Sequence, residues 1–229
     1  MLAPPSQPRF ERKFIASGVT ADAAVTLVRR HRALFREMYP ERAVNNLYLD
    51  TPDLRYYTDH LNGACDRVKV RLRWYGALGG RIDHPVLEFK TKHDHVRGKE
   101  SFSLPGLVLN GGCSHAMLEG LLGNSSLPEA IRAHLRGLQP SLGNRYRRRY
   151  FCSRNGGVRL TVDWAFEFFD ARLPDRWWRV PPRQDPGVVL ELKYGLSKSE
   201  EAAEIANTLP FRLQRCSKYI LGVDALAAG

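Results

Sequence analysis

The sequence predicts an α+β fold: a closed antiparallel β-barrel with a polar, basic lumen and helices packed on the outside. Three observations lead there. First, residues 65–76, C-D-R-V-K-V-R-L-R-W-Y-G, alternate Arg67, Lys69, Arg71 and Arg73 with Val68, Val70 and Leu72. Strand side chains point alternately to two faces, so the four cations share one. Second, the same polarity recurs elsewhere. Glu11 and Lys13 oppose Phe10 and Phe14; Glu88, Lys90 and Lys92 oppose Leu87 and Phe89. Arg159, Thr161, Asp163 and Glu167 oppose Leu160, Val162, Trp164, Phe166 and Phe168, and Glu191 and Lys193 oppose Val188, Leu190, Leu192 and Tyr194. Third, 35 Lys and Arg stand against 24 acids, a formal net charge of +11. A solvated face would explain any one such strand. Five of them, one with four cations and no acid between, imply mutual repulsion that an enclosed anion would relieve. The charged faces are therefore expected to turn inward and the apolar faces to lie under helices.

The elements follow in order. Residues 1–8 read as a disordered leader, and residues 9–229 as a single domain, because no linker divides the strands. R-F-E-R-K-F-I-A (9–16) alternates as a strand. From Thr20 to Met38, Ala24, Leu27, Val28, His31, Leu34, Phe35 and Met38 recur at helical spacing, with Thr20 and Asp22 as capping candidates. Strands are expected at 45–50, 65–76, 85–92 and 98–104, then helical segments around 114–122 and 128–137. Strands resume at 145–152, 158–169 and 188–195. A helix capped within S-K-S-E-E-A begins at Ser199 and runs to about Thr208. The tail at 213–223 is ambiguous between coil and a short helix on the barrel. Loops at 77–84 and 174–187 are expected to be mobile.

Composition narrows the function. A strongly basic chain expects an anionic partner: nucleic acid, an acidic membrane surface or a phosphate-rich small molecule. No apolar run approaches the roughly 18–20 residues of a membrane span, and the proline-rich start lacks the layout of an export signal. Cys65, Cys113, Cys152 and Cys216 form no C-x-x-C pair, which argues against zinc or a disulfide framework and for a reduced, cytoplasmic setting. Guanidinium groups such as Arg71 and Arg73 bind phosphate oxygens in pairs. Carboxylates among them call for a cation of their own, Mg²⁺ or Mn²⁺, to bridge to the phosphates.

Several runs together resemble a known family. R-F-E-R-K-F, Y-L-D-T-P-D (48–53), R-L-R-W-Y-G (71–76), L-E-F-K-T-K (87–92) and G-K-E-S (98–101) come first. They are followed by Y-R-R-R-Y-F (146–151), R-L-T-V-D (159–163), L-E-L-K-Y-G (190–195) and S-K-Y-I-L-G-V (217–223). Over residues 9–223 the chain is similar to the VTC domain, the polyphosphate polymerase branch of the CYTH-like triphosphate tunnel metalloenzyme superfamily. The resemblance implies transfer of the γ-phosphate of ATP to a growing polyphosphate chain with Mn or Mg as cofactor. It assigns phosphate-holding roles to Lys13, Arg71, Arg73, Lys90, Lys99, Arg148, Arg159 and Lys218. Lys69, Lys92 and Lys193 join them as substrate-binding residues by sharing the charged faces. Glu191 is implied as the principal metal ligand, helped by Glu11, Glu88 and Asp163; Arg71, Arg73, Lys90, Arg148 and Glu191 form the catalytic set. Alternation alone leaves open whether Arg148, or Arg145 with Arg147 and Arg149, faces inward; the resemblance favours Arg148. Where the wider superfamily begins E-x-E-x-K, this chain has Arg9, which weakens the case for plain hydrolysis.

The expected partners are ATP, polyphosphate and phosphate, with room for a membrane-protein partner that would bring the chain to a membrane. Two further readings remain: a triphosphatase with water as acceptor, and a non-catalytic binder of polyphosphate or RNA. Nucleic acid is not expected, since a binder has no use for carboxylates opposite its cations. The histidines lack metal-ligand spacing, and Trp74, Trp164, Trp177 and Trp178 read as packing residues.

Overall fold

The computed structural model describes residues 9–93, 96–110, 113–173, 183–185 and 187–228. The leader at 1–8, Trp177, Trp178 and most of the 174–187 loop (174–182 and 186) lie outside the described residues. The chain runs β1 (Arg9–Ala16), α1 (Ala21–Arg30), β2 (Arg36–Asp50), α2 (Arg55–Leu61), β3 (Arg67–Tyr75), β4 (Gly80–Ile82), β5 (Val86–His93), β6 (Val96–Ser103) and β7 (Leu107–Leu109). It continues through α3 (His115–Gly123), α4 (Glu129–Leu135), β8 (Gln139–Cys152), β9 (Val158–Asp170), β10 (Arg183–Asp185), β11 (Val188–Gly195), α5 (Ser199–Thr208), β12 (Arg212–Leu213) and α6 (Lys218–Ala227).

The expected closed barrel is not formed. The main sheet is an open path, β12-β1-β11-β9-β8-β2-β3-β5-β6, with β10 on β9 and a separate β4-β7 ribbon. Its ends, β12 and β6, do not pair with each other among the described residues. The pairings described below are antiparallel, and the α+β character stands.

The residues form two compact units. The first gathers Met1–Arg42, Arg147–Phe166 and Pro186–Cys216; the second gathers Ala43–Tyr146, Glu167–Asp185 and Ser217–Gly229. In the first, β1, β11 and β9 are in register so that Phe14, Leu190 and Val162 align, beside Leu192 and Leu160. That apolar face is covered by Ala24, Val25 and Val28 of α1 and Ala202 and Ile205 of α5. In the second, Leu47, Leu72 and Leu87 align across β2, β3 and β5, and Val70 aligns with Phe89. Leu118, Leu121 and Leu135 of α3 and α4 join that cluster, as does Phe169. Burying a side chain of this size stabilises by about 1.5–3 kcal/mol, so these stripes decide which sheet face carries the charges.

Other expectations are corrected locally. The amphipathic run from Thr20 does not stay helical to Met38. It stops at Arg30, and Leu34 turns the chain with a left-handed φ of 49°. The Thr20 cap is made, its hydroxyl accepting the Ala23 amide at 3.2 Å. At α5 the N-cap is Lys198, and no side chain caps the helix. The 77–84 loop contains β4. Alternation in β9 breaks at Ala165, whose φ is 52°. Past it Phe169 enters the apolar cluster, so Phe168 does not continue the face begun by Leu160. Trp74 is a packing residue, its indole donating to the Ala77 carbonyl at 2.9 Å.

Candidate functional site: two charged sheet faces

Each unit presents one charged face, and the two are built differently. In the second unit the rows run straight across the strands. Lys69, Lys90 and Lys99 face one another on β3, β5 and β6. The next row is Tyr48, Arg71, Glu88 and Ser101, and then Asn46, Arg73, Val86 and Ser103. Lys92 lies opposite Arg67. Three lysines abreast repel at strand spacing unless an anion lies over them.

One carboxylate sits in this cationic field. Glu88, 5% exposed, receives Arg71 through Nε at 2.7 Å and Nη2 at 2.6 Å. Lys99 reaches its other oxygen at 2.8 Å, and Arg73 stands 3.6 Å away. Burial alone would raise its pKa; Arg71, Arg73 and Lys99 outweigh that and hold the carboxyl far below the usual range. Arg71, whose burial works the other way, is kept firmly protonated by Tyr48 and Glu88. Arg73 donates to Asn46 Oδ1 at 2.9 Å, and Asn46 donates in turn to Asn144 Oδ1 at 2.9 Å. The remaining amide nitrogen of Asn144 is buried with no partner among the described residues.

Helix α6 packs on this same charged side. Ser217 accepts Lys69 at 2.8 Å, the Lys218 ammonium lies 5.0 Å over the Tyr146 ring, and Tyr219 stacks on Tyr48 with centroids 4.8 Å apart. His60, of α2, is pushed down to about 4, by burial first and then by Lys69.

The first unit's face is a checkerboard. Glu11 opposes Lys193, and Lys13 opposes Glu191; Arg159 and Thr161 follow on β9 opposite Lys193 and Glu191. Lys13 bridges Glu11 at 2.7 Å and donates to the Cys216 carbonyl at 3.0 Å. Glu191 pairs with Lys193 and lies 3.9 Å from Arg148. Asp163, with 0% exposure, is held in a fork by Arg148 at 2.5 and 2.6 Å. Arg148 therefore belongs to the charged face, whereas Arg147 and Arg149 pair with Glu41 at 3.1 and 3.4 Å. The hydroxyl of Thr161 is buried with no partner among the described residues.

The expected site residues thus separate. Lys69, Arg71, Arg73, Glu88, Lys90, Lys92, Lys99 and Lys218 belong to the second unit, and Glu11, Lys13, Arg148, Arg159, Asp163, Glu191 and Lys193 to the first. No three acids, histidines or cysteines gather into a metal site among the described residues. Asp163 and Glu88 are gripped by the guanidinium groups of Arg148 and Arg71, whereas Glu11 and Glu191 have their closest pairs with lysines, Lys13 and Lys193. Glu191 and Glu11, diagonal neighbours on adjacent strands, fit the one-or-two-carboxylate share that Mg²⁺ takes when phosphates and water complete its shell. Sequence reasoning passed over Asn46, Tyr48, Asp50, Asn144 and Tyr219. The N-N and Y-L-D of 45–50 and the Tyr of S-K-Y were the available signals.

Comparison with known proteins agrees with this architecture. The family model described as the VTC domain matches residues 9–227. No curated protein matches the sequence significantly. The fold is similar to that of the PH1819 protein of Pyrococcus horikoshii OT3, with TM-score 0.53, 14% identity, and coverage of 95% of this chain and 99% of that one. It is also similar to a candidate adenylate cyclase of Vibrio parahaemolyticus (0.51, 12%, 96% and 98%). A third is the candidate adenylyl cyclase HpAC1 of Hippeastrum, for which a dominant triphosphatase activity is described (0.53, 14%, 94% and 96%).

Proposed function

This chain belongs to the VTC domain family, and we propose that it is a metal-dependent polyphosphate polymerase using ATP, a member of the CYTH-like triphosphate tunnel superfamily. The observation that carries the reading is the second unit's face, where Lys69, Lys90 and Lys99 lie abreast beside a row in which Arg71, Arg73 and Lys99 converge on Glu88. Such a surplus suits a ligand with several negative charges, and a row of phosphates supplies them. The unpartnered Asn144 amide supports the same reading, since leaving a buried donor unmade costs about 1–3 kcal/mol.

Arg71, Arg73, Lys90 and Lys99 would grip phosphate oxygens; Arg148, Arg159, Lys13 and Lys193 would do so beside the carboxylates of the first unit. In the transfer, an oxygen of the terminal chain phosphate bonds to the γ-phosphorus as the β–γ bridging bond breaks and ADP leaves. No side chain need act as a nucleophile: the cations align the reactants and neutralise the charge shared among the transferring oxygens. Glu191 and Glu11 would hold a divalent ion, Mn or Mg, whose contribution is further neutralisation at the phosphates. Among the described residues no helix is long and apolar enough to cross a membrane.

The triphosphatase activity described for HpAC1 favours hydrolysis as the second reading. Purified protein incubated with ATP and Mn²⁺, resolved on a gel stained for polyphosphate, tests both. A ladder of long chains is expected. ADP and orthophosphate without a ladder would replace polymerase with hydrolase, and the absence of any turnover would leave a binder.

A further inference from the structure

We propose that Tyr219, anchored by Asp50, is a positioning residue that sets Lys218 against the charged face of the second unit. The inference rests on the phosphate-handling reading above. Asp50 has 0% exposure and no described cation within ion-pair distance. It is satisfied by donors: the amides of Thr51, Tyr56 and Tyr57 at 2.7, 2.8 and 2.9 Å, and the Tyr219 hydroxyl at 2.5 Å. A buried carboxylate fixed by three backbone donors is a rigid post, and its bond to a phenol is the strong, charge-assisted kind.

Tyr219 is tied on its other sides too. Its oxygen lies 3.1 Å from the Ser141 hydroxyl, and its ring stacks on Tyr48, whose own hydroxyl accepts Arg71 at 3.4 Å. Farther along α6, a Cβ at Gly222 would come within 2.5 Å of Leu142 and 2.6 Å of Phe168, so the helix lies as close as glycine permits. Tyr57 donates to Asp224 at 2.5 Å near the helix end. The run S-K-Y-x-x-G thus reads physically: Ser217 caps the helix and accepts Lys69, Lys218 supplies charge, Tyr219 anchors and Gly222 permits close approach. Lys218, 9% exposed, owes its place over Tyr146 to the residue beside it.

The test compares Tyr219→Phe, Lys218→Ala and the double variant, with tripolyphosphate as probe and calorimetry as readout. Loss of Lys218 should weaken binding about 10- to 100-fold, the size of one charge-assisted hydrogen bond. Tyr219→Phe should reproduce most of that loss, and the double variant should be no worse than Lys218→Ala. A melting-temperature drop without change in affinity, or losses that multiply, would overturn the inference. If the unaltered protein binds no tripolyphosphate, the phosphate-handling reading is what fails. The acylation rate of Lys218, followed by mass spectrometry, then still reads the anchor: Tyr219→Phe should raise it several-fold, and an unchanged rate would overturn the positioning role.

Discussion

The second unit gathers its charges to leave a surplus, whereas the first arranges them to cancel. Around Glu88 stand Arg71, Arg73 and Lys99, with Lys69, Lys90 and Lys92 in the neighbouring rows. In the first unit Glu11, Glu191 and Asp163 each have a cation of their own in Lys13, Lys193 and Arg148. The same alternation of strand residues therefore yields two electrostatic devices. A face rich in cations gains free energy when a polyanion arrives. A self-compensated face gains little from charge alone, and its worth lies in offering carboxylates held at fixed spacing.

The sharpest way to break this contrast is to remove one group from each face. Arg73→Ala and Glu191→Gln should each abolish turnover, a fall of at least about 10²–10³ in kcat, the scale for losing one preorganised charge-stabilising group. Their binding should differ: Arg73→Ala weakens tripolyphosphate measurably, whereas Glu191→Gln leaves its metal-free affinity close to the starting value. Circular dichroism should show both folded. Full activity in either variant removes that residue from the site, and equal loss of affinity in both erases the distinction between the faces.

How much of this was legible beforehand follows from the physics of alternation. Where one face is packed, as in β3, β5 and β11, period two gave the right residues on the right side. It failed where backbone geometry intervened: Ala165 at positive φ shifts the phase of β9, and Leu34 at positive φ ends the helical run early. Alternation also says nothing of sheet closure, because an inward charged face and an open one read identically along a strand. The exposed stretch 36–42 lacked any apolar stripe, so the start of β2 went unseen. Helix α2, seven residues long, is held by Asp50 amide bonds reaching six and seven residues along the chain, which no local pattern announces.

A second expected effect concerns stability, and it should be larger in the first unit. Arg148→Ala removes the fork that holds the fully buried Asp163, and breaking a buried pair from one side costs about 3–5 kcal/mol. Replacing both partners, as Arg148→Met with Asp163→Leu, should recover most of that loss in denaturant unfolding. Equal unfolding midpoints for Arg148→Ala and the unaltered chain would mean that Asp163 finds water or another partner on opening.

The smallest effect is a pH dependence centred on the second unit. His60 is held neutral, with its pKa down at about 4, and Glu88 is held ionised, both below their unfolded values. A depressed pKa contributes stability above the unfolded value, and that stability is lost as pH falls toward the folded one. For His60 the loss runs from about pH 6.5 down to 4, the span between an unperturbed imidazole and the buried one. Glu88 should add its share only below about pH 4.5, where an ordinary glutamate starts to protonate. Melting temperature should therefore decline in two stages on acidification, and His60→Gln should flatten the upper stage alone. A His60→Gln variant with an unchanged upper stage would place that acid sensitivity elsewhere, first at His31, which burial and then Arg32 also hold below the ordinary imidazole value.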